Sequence, residues 1–390
     1  MRNLPNIVTI FVVLTTLVAC DSESASNAIA ETGTTPVEDT TAVDDTAPVD
    51  DTTPVDDTIA DSVAQSDTTD PNAIVLPSVR PTVTETVSTT IGGWSLNPGR
   101  ESTRCVVKRL SNADVAWVSQ VRTKLAPGSH HLIVYKSTET EEQTEAFDCD
   151  PFVETLKENT FPLMITQIRE ETLTFPNGVA FRFEPRQMVR IEAHYLNYFE
   201  DKIDAHADIH FDMIAADDVA EEANILFYGN PDINVPRGRA SDSGWGFIPV
   251  DEGVHVFAAT GHTHAYGTNV EIHYAVSPED EGQSIYPRET EFLWDEPPVE
   301  YYDPPVVFGA DDGLRYRCSW YNDGPSSVGF GESANEEMCF LWAYYYPSDG
   351  YRICMNTGSY RAIAESYNLE VGDHVCCPGH FLCGLISSAF

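Results

Sequence analysis

Short apolar runs broken by Gly, Pro, Asn and Asp recur along this chain, and almost none repeats with the period of an amphipathic helix. The runs HHLIVYK, VRIEAHYLNYF, ADIHFDMI, ANILFYG, GVHVFAATGHTHAYGTNVEIHYAV and MCFLWAYYYP either alternate or concentrate β-branched and aromatic residues, as strands do. Many such strands separated by turn residues predict an all-β chain of two tandem antiparallel β-sandwich domains, jelly-roll-like in character. The acidic stretch AADDVAEEA, Ala215 to Ala223, breaks the strand pattern and marks the expected junction. The domains expected are 85–222 and 223–347, with 348–390 a Cys-rich extension.

Upstream of residue 85 the pattern disappears. Arg2 precedes an apolar run, Ile7 to Val18, and then Leu17-Val18-Ala19-Cys20. The run is too short for an ordinary membrane span and reads as a secretory signal, residues 1–20, ending in a bacterial lipobox with Cys20 as the lipidated residue. No later stretch is apolar enough to span a membrane, so the expected location is extracytoplasmic, with membrane attachment through the lipid anchor alone. Asp21 to Ile74 holds no Lys or Arg, and residues 35–58 are four hexads, TPVEDT, TAVDDT, APVDDT and TPVDDT. Such a segment buries too little apolar surface to offset its ordering entropy, so 21–84 is expected to be a disordered acidic stalk.

Charge narrows the partners. The chain has 62 Asp and Glu against 22 Lys and Arg, a formal net charge of −40. Fourteen of these negative charges fall in the stalk, leaving 26 for the rest, so nucleic acid is excluded as a partner. Besides Cys20 there are eight cysteines: Cys105, Cys149, Cys318, Cys339, Cys354, Cys376, Cys377 and Cys383. On an exported chain an even number reads as a disulfide set, although CCPGHFLC near the end also has the look of a small zinc knuckle.

Histidines supply the candidate chemistry. In GHTHAYG, His262 and His264 at i and i+2 on a strand would leave the same face and reach one ion, although two solvent-facing histidines fit the same spacing. In VRIEAHYLNYF, His194 has Glu192 on its own face, a partner for the second nitrogen of this or a neighbouring ligating imidazole; a lone strand histidine is more often structural. His130 and His131 in PGSHHLIVYK are adjacent, and in a regular strand their side chains diverge. The Pro127-Gly128 turn gives His130 a way out of the regular pleat. Met338 is core filler by itself; beside histidines its thioether is a soft ligand favouring Cu(I).

Over about residues 90 to 347 these motifs together resemble the copper type II, ascorbate-dependent monooxygenases, the family of the peptide-amidating hydroxylase and dopamine β-monooxygenase. Order and spacing agree: the His130-His131 pair, the His194 in AHY, the His262/His264 HxH, then Met338 in EMC. The resemblance implies two copper ions, one held by His130, His131 and His194, with the adjacent pair coordinating through Nδ1, and one by His262, His264 and Met338, where dioxygen and substrate react. It implies disulfides Cys105–Cys149 and Cys318–Cys339, ascorbate or a similar electron donor, O2, and a small-molecule substrate.

Departures bear on substrate. An Arg that helps bind the substrate carboxylate in the amidating enzymes is matched by Thr260, and the contacts after the Met ligand fall on Phe340, Trp342 and Tyr344, with Phe for an Asn and Trp for a Tyr. Glu192 stands where the amidating enzyme has Gln. Without a guanidinium fork the pocket lacks an anion clamp, so peptide amidation is not expected. The competing readings are a copper-buffering lipoprotein without turnover and an adhesion module with vestigial histidines. Substrate, physiological reductant and oligomeric state are not written in the sequence.

Overall fold

The strand runs fold as strands, and each sheet's burial explains its sequence pattern. The computed structural model describes residues 74–150, 152, 160–288, 291–331, 333–356 and 374–377. Cys20, the expected signal peptide, most of the stalk, and Cys383 lie outside the described residues, so those expectations are not addressed by the fold. Among the described residues there is no α-helix, only a 3-10 turn at Ala216–Asp218, which bears out the all-β reading.

Four main sheets form two layered pairs. The first pair contains a sheet ordered Glu85–Leu96, Ile203–Ile214, Ala116–Leu125, Val179–Phe183, Glu221–Glu222, with Glu170–Thr174 also on Ala116–Leu125. Its companion is ordered Gln143–Asp148, Glu101–Arg109, Met188–Leu196, Ser129–Ser137, Thr160–Thr166. The chain leaves this pair between Glu222 and Asn224. In the second pair one sheet runs Val299–Val307, His255–His262, Phe340–Tyr346, Asn224–Gly229, Arg352–Asn356, His374–Cys377. The other runs Ala240–Asp242, Gly313–Tyr321, Gly267–Ala275, Gln283–Tyr286, with Gly246–Pro249 on Gly313–Tyr321. Among the described residues the strands pair antiparallel except for Glu221–Glu222 on Val179–Phe183 and Asn224–Gly229 on Arg352–Asn356, and Phe330 and Glu337 form an isolated parallel bridge; a purely antiparallel expectation leaves these out.

All seven residues of Phe340–Tyr346 are buried, and successive side chains serve different cores. Leu341, Ala343 and Tyr345 join the cluster between the sheets of the second pair. Phe340, Trp342, Tyr344 and Tyr346 join the cluster that fills the first pair, beside Ile133, Ile165 and Ile191. A strand buried on both faces needs no polar side, hence the unbroken run FLWAYYY. One consequence is that residues 67–390 make a single compact unit. Disulfides join Cys105–Cys149 and Cys318–Cys339, as expected, and a third joins Cys354–Cys376 across the last two strands described.

Buried beside this shared core is Glu171, 8% exposed, its Oε1 without a hydrogen-bond partner. Burial pushes its carboxyl up from 4.5 to about 8, against smaller opposing contributions from the Gln167 backbone and the Thr166 hydroxyl. Because the folded pKa is the higher one, the folded state binds the extra proton between the two values, and stability falls as pH rises from about 4.5 to 8. The upper bound on that loss is ~5 kcal/mol. Glu171→Gln is therefore expected to gain on the wild type in denaturant unfolding between pH 5 and pH 8.5; an equal difference at both values would refute the assignment.

Candidate metal centre

The adjacent histidines converge because the strand that carries them is irregular at its start. Gly128 has φ +87°, and a Cβ there would stand 2.4 Å from Ile203 Cδ1, so the turn requires glycine. Next, the register slips between Ser129 and His131 opposite Tyr195 and His194, which makes His130 the extra residue of a bulge. The bulge redirects one side chain. The His130 and His131 ring centroids lie 5.2 Å apart, and His194, directly across the ladder from His131, is 5.4 Å from the first and 5.2 Å from the second.

His262 is the last residue of His255–His262, while His264 lies in the turn that follows, so the two do not share one strand face. Their rings nevertheless meet at 5.2 Å. The turn closes through the Gly267 N–H, which donates to the His264 carbonyl at 2.9 Å, and a Cβ on Gly267 would be 1.9 Å from Thr263 Oγ1.

These two groups form one cluster. His130 lies 5.6 Å from His262 and 5.5 Å from His264, and His131 is 5.5 Å from His262. Ligating atoms of His130, His131 and His194 all lie within 4.8 Å of one another, as do those of His130, His262 and His264. His130 thus belongs to both sets, whereas the family resemblance places it in the first alone.

Hydrogen bonds on the outward nitrogens decide which inward ones are available. His262 Nδ1 meets Gln167 Oε1 at 2.6 Å, and Gln167 Nε2 donates to the Gly261 carbonyl at 3.0 Å and to Thr260 Oγ1 at 3.3 Å. His264 Nδ1 donates to the Glu336 carbonyl at 3.1 Å. Nε2 of both rings is left buried without a partner. His194 has Nε2 3.5 Å from Glu101 Oε2 and an unpartnered Nδ1. At His131 neither nitrogen is hydrogen-bonded, Nε2 standing 3.5 Å from Glu192 Oε1. At His130 the buried nitrogen without a partner is Nε2.

Burial, reinforced by neighbouring imidazoles, holds His130, His131 and His262 well below the ordinary histidine value, and burial brings His264 down to about 4. The rings are therefore neutral near pH 7. Each buried nitrogen left unpaired costs about 1–3 kcal/mol, so a cluster of them is unfavourable unless something occupies it. Lone pairs on uncharged, converging imidazoles suit a transition-metal cation.

The surroundings fix the cluster. Glu192, fully buried, accepts Tyr135 Oη at 3.0 Å and the Phe152 N–H at 3.1 Å, and so faces His131 rather than His194. Phe152 packs at 4.8 Å from His131, 5.1 Å from His262 and 4.9 Å from Phe340, and Phe340 stacks on His262 at 6.1 Å and 18°. Partly exposed Trp294 lies 5.7 Å from His130. Met338 is fully buried, and its N–H donates to Glu337 Oε2, which also accepts the His264 N–H. Of the substrate-pocket candidates, Thr260 donates to the Pro298 carbonyl at 2.8 Å, and Trp342 and Tyr344 lie in the shared core; Phe340 reaches the histidines. Gln167, Glu101, Glu337, Phe152 and Trp294 are site residues that no local sequence motif reveals, apart from Glu337, a carboxylate opening an apolar run.

Residues 247–367, which contain His262, His264 and Met338, match the family model for the copper type II ascorbate-dependent monooxygenase C-terminal domain. No curated protein matches the chain. Among solved structures the chain resembles the STIV MCP, with TM-score 0.31, 8% identity, and coverage of 67% of this chain and 97% of that one. It also resembles PNGase F, a glycosylasparaginase from Flavobacterium meningosepticum, with TM-score 0.31, 9% identity, and coverage of 68% and 97%. Similarity at that level decides nothing about this chain.

Proposed function

We propose, taking the monooxygenase C-terminal domain over residues 247–367 as premise, that this protein is a copper-dependent monooxygenase. Its reaction hydroxylates a C–H bond of a small organic substrate with O2 and a one-electron reductant such as ascorbate. The observation that carries the reading is the set of five buried histidines whose unpartnered nitrogens converge. His130, His131 and His194 hold one ion; His262, His264 and Met338 hold the second, with His130 in reach of it. Bound copper supplies the one-electron redox chemistry and dioxygen affinity that these side chains lack.

The chain's own residues do the rest. Gln167 and the Glu336 carbonyl hold His262 and His264 with Nε2 inward, which removes the entropy of finding that orientation. Phe152 and Phe340 cover the rings and exclude water. The Met338 thioether favours the reduced metal. Thr260 carries no charge and already bonds Pro298, which supports a substrate other than a peptide carboxylate. The lipobox at Cys20 supports a lipid-tethered, extracytoplasmic setting.

The test loads the protein with copper, adds ascorbate and O2, and compares wild type with Met338→Ala across amine, peptide and aromatic substrates. Wild type is expected to consume oxygen and hydroxylate a member of the panel, and Met338→Ala to lose at least ten-fold of that rate. Copper bound without oxygen uptake by the wild type would replace this reading with copper buffering.

A further inference from the structure

Glu101 belongs to neither histidine set, yet its carboxylate touches the supports of both. It opens the strand Glu101–Arg109, where its neighbour Thr103 pairs with His194. Oε2 stands 3.5 Å from His194 Nε2 and accepts the Ala334 N–H at 3.4 Å, while Oε1 accepts the Ser333 hydroxyl at 2.8 Å.

Ser333 and Ala334 begin the loop that seats the second set. Three residues on, the Glu336 carbonyl accepts His264 Nδ1–H, and Glu337 accepts the backbone N–H groups of His264 and Met338. One carboxylate from the start of the fold therefore joins His194 to the segment that positions His264 and Met338. Its side chain is 37% exposed, so it is not there to fill the core.

We propose that Glu101 is a positioning residue that couples the two histidine sets. By accepting from Nε2 of His194 it selects the ring form whose Nδ1 lone pair faces the cluster, since a ring held through one nitrogen must offer the other. By gripping Ser333 and Ala334 it holds the 333–338 loop against the first sheet pair. The consequence for copper rests on the proposed function; the ring form of His194 does not.

The experiment therefore has two arms, both on the full chain. In the metal-free protein labelled with 15N-histidine, long-range 1H–15N correlations read the His194 tautomer. Wild type is expected to show Nε2–H alone. Glu101→Ala is expected to show a mixture, and Glu101→Gln, whose amide oxygen still accepts, to restore the single form. In the second arm, Cu(I) is titrated against a chromophoric chelator. Glu101→Ala is expected to weaken both ions, each by roughly the 10–100-fold that loss of an outer partner costs, and Ser333→Ala to weaken only the ion at His262 and His264.

A single Nε2–H tautomer in Glu101→Ala overturns the proposal, as does an affinity loss confined to one ion. Should Glu101→Ala not fold, Ser333→Ala decides: unchanged affinity at both ions overturns the coupling. Failure of the wild type to bind copper would sink the proposed function while leaving the tautomer result to stand on its own.

Discussion

His130→Ala is expected to lower the affinity of both proposed copper sites. The ring completes both sets of converging nitrogens, with its centroid within 5.2–5.6 Å of those of His131, His194, His262 and His264. Removing it takes a ligand from one ion and a ligand or close neighbour from the other. Loss of an outer partner alone costs about 10–100-fold in metal affinity, so a direct ligand is expected to cost more than 100-fold at the first site. His131→Ala is the control, since its ring belongs to the first set alone. Chelator competition that counts copper equivalents separates the outcomes. If His130→Ala retains one full-affinity ion, the two sets work independently, as the family resemblance implies, and the shared position has no energetic weight.

That shared position shows where the sequence stops being readable. The strands were legible because side-chain type writes itself into short-range pattern: Phe340–Tyr346, buried throughout, reads as an unbroken apolar run, and Met188–Leu196, equally buried, alternates apolar residues with Arg190, Glu192 and His194. The five histidines that converge were legible as residue types in order along the chain, and Gly128 before the histidine pair hinted at the bulge that lets the rings converge. What was not legible is whatever depends on which strand ends meet. Gln167 reaches His262 across 95 positions, and Glu101 reaches Ser333 across 232. Neither residue has a local pattern, because a polar side chain at a strand end reads as a solvated edge. His264 was read as a strand residue because HxH spacing fits a strand; the Gly267 turn, which a Cβ would block, carries it instead.

The same dependence on long-range contacts makes Glu337 the most vulnerable support of the centre. This carboxylate is fully buried and accepts four N–H groups: His264 at 2.9 Å, Tyr266 at 2.7 Å, Trp320 Nε1 at 2.9 Å and Met338 at 3.3 Å. Burial raises its pKa to about 7 even against those four donors. The Cys318–Cys339 disulfide ties the neighbouring positions together, so the segment cannot move away to find water when the carboxylate is lost. Glu337→Ala is thus expected to destabilise the protein by about 3–5 kcal/mol, because several buried donors lose their acceptor at once. It is also expected to release the His264 turn and weaken the ion at His262 and His264. Glu337→Gln, with one acceptor oxygen instead of two, should fall about midway between Glu337→Ala and the wild type. Glu336→Ala is the informative control, since Glu336 supports His264 through its backbone carbonyl, which the substitution keeps. Denaturant unfolding and copper titration on the three variants test this together. Equal damage from Glu336→Ala, or wild-type stability in Glu337→Ala, would show that the four hydrogen bonds do not hold the centre in place.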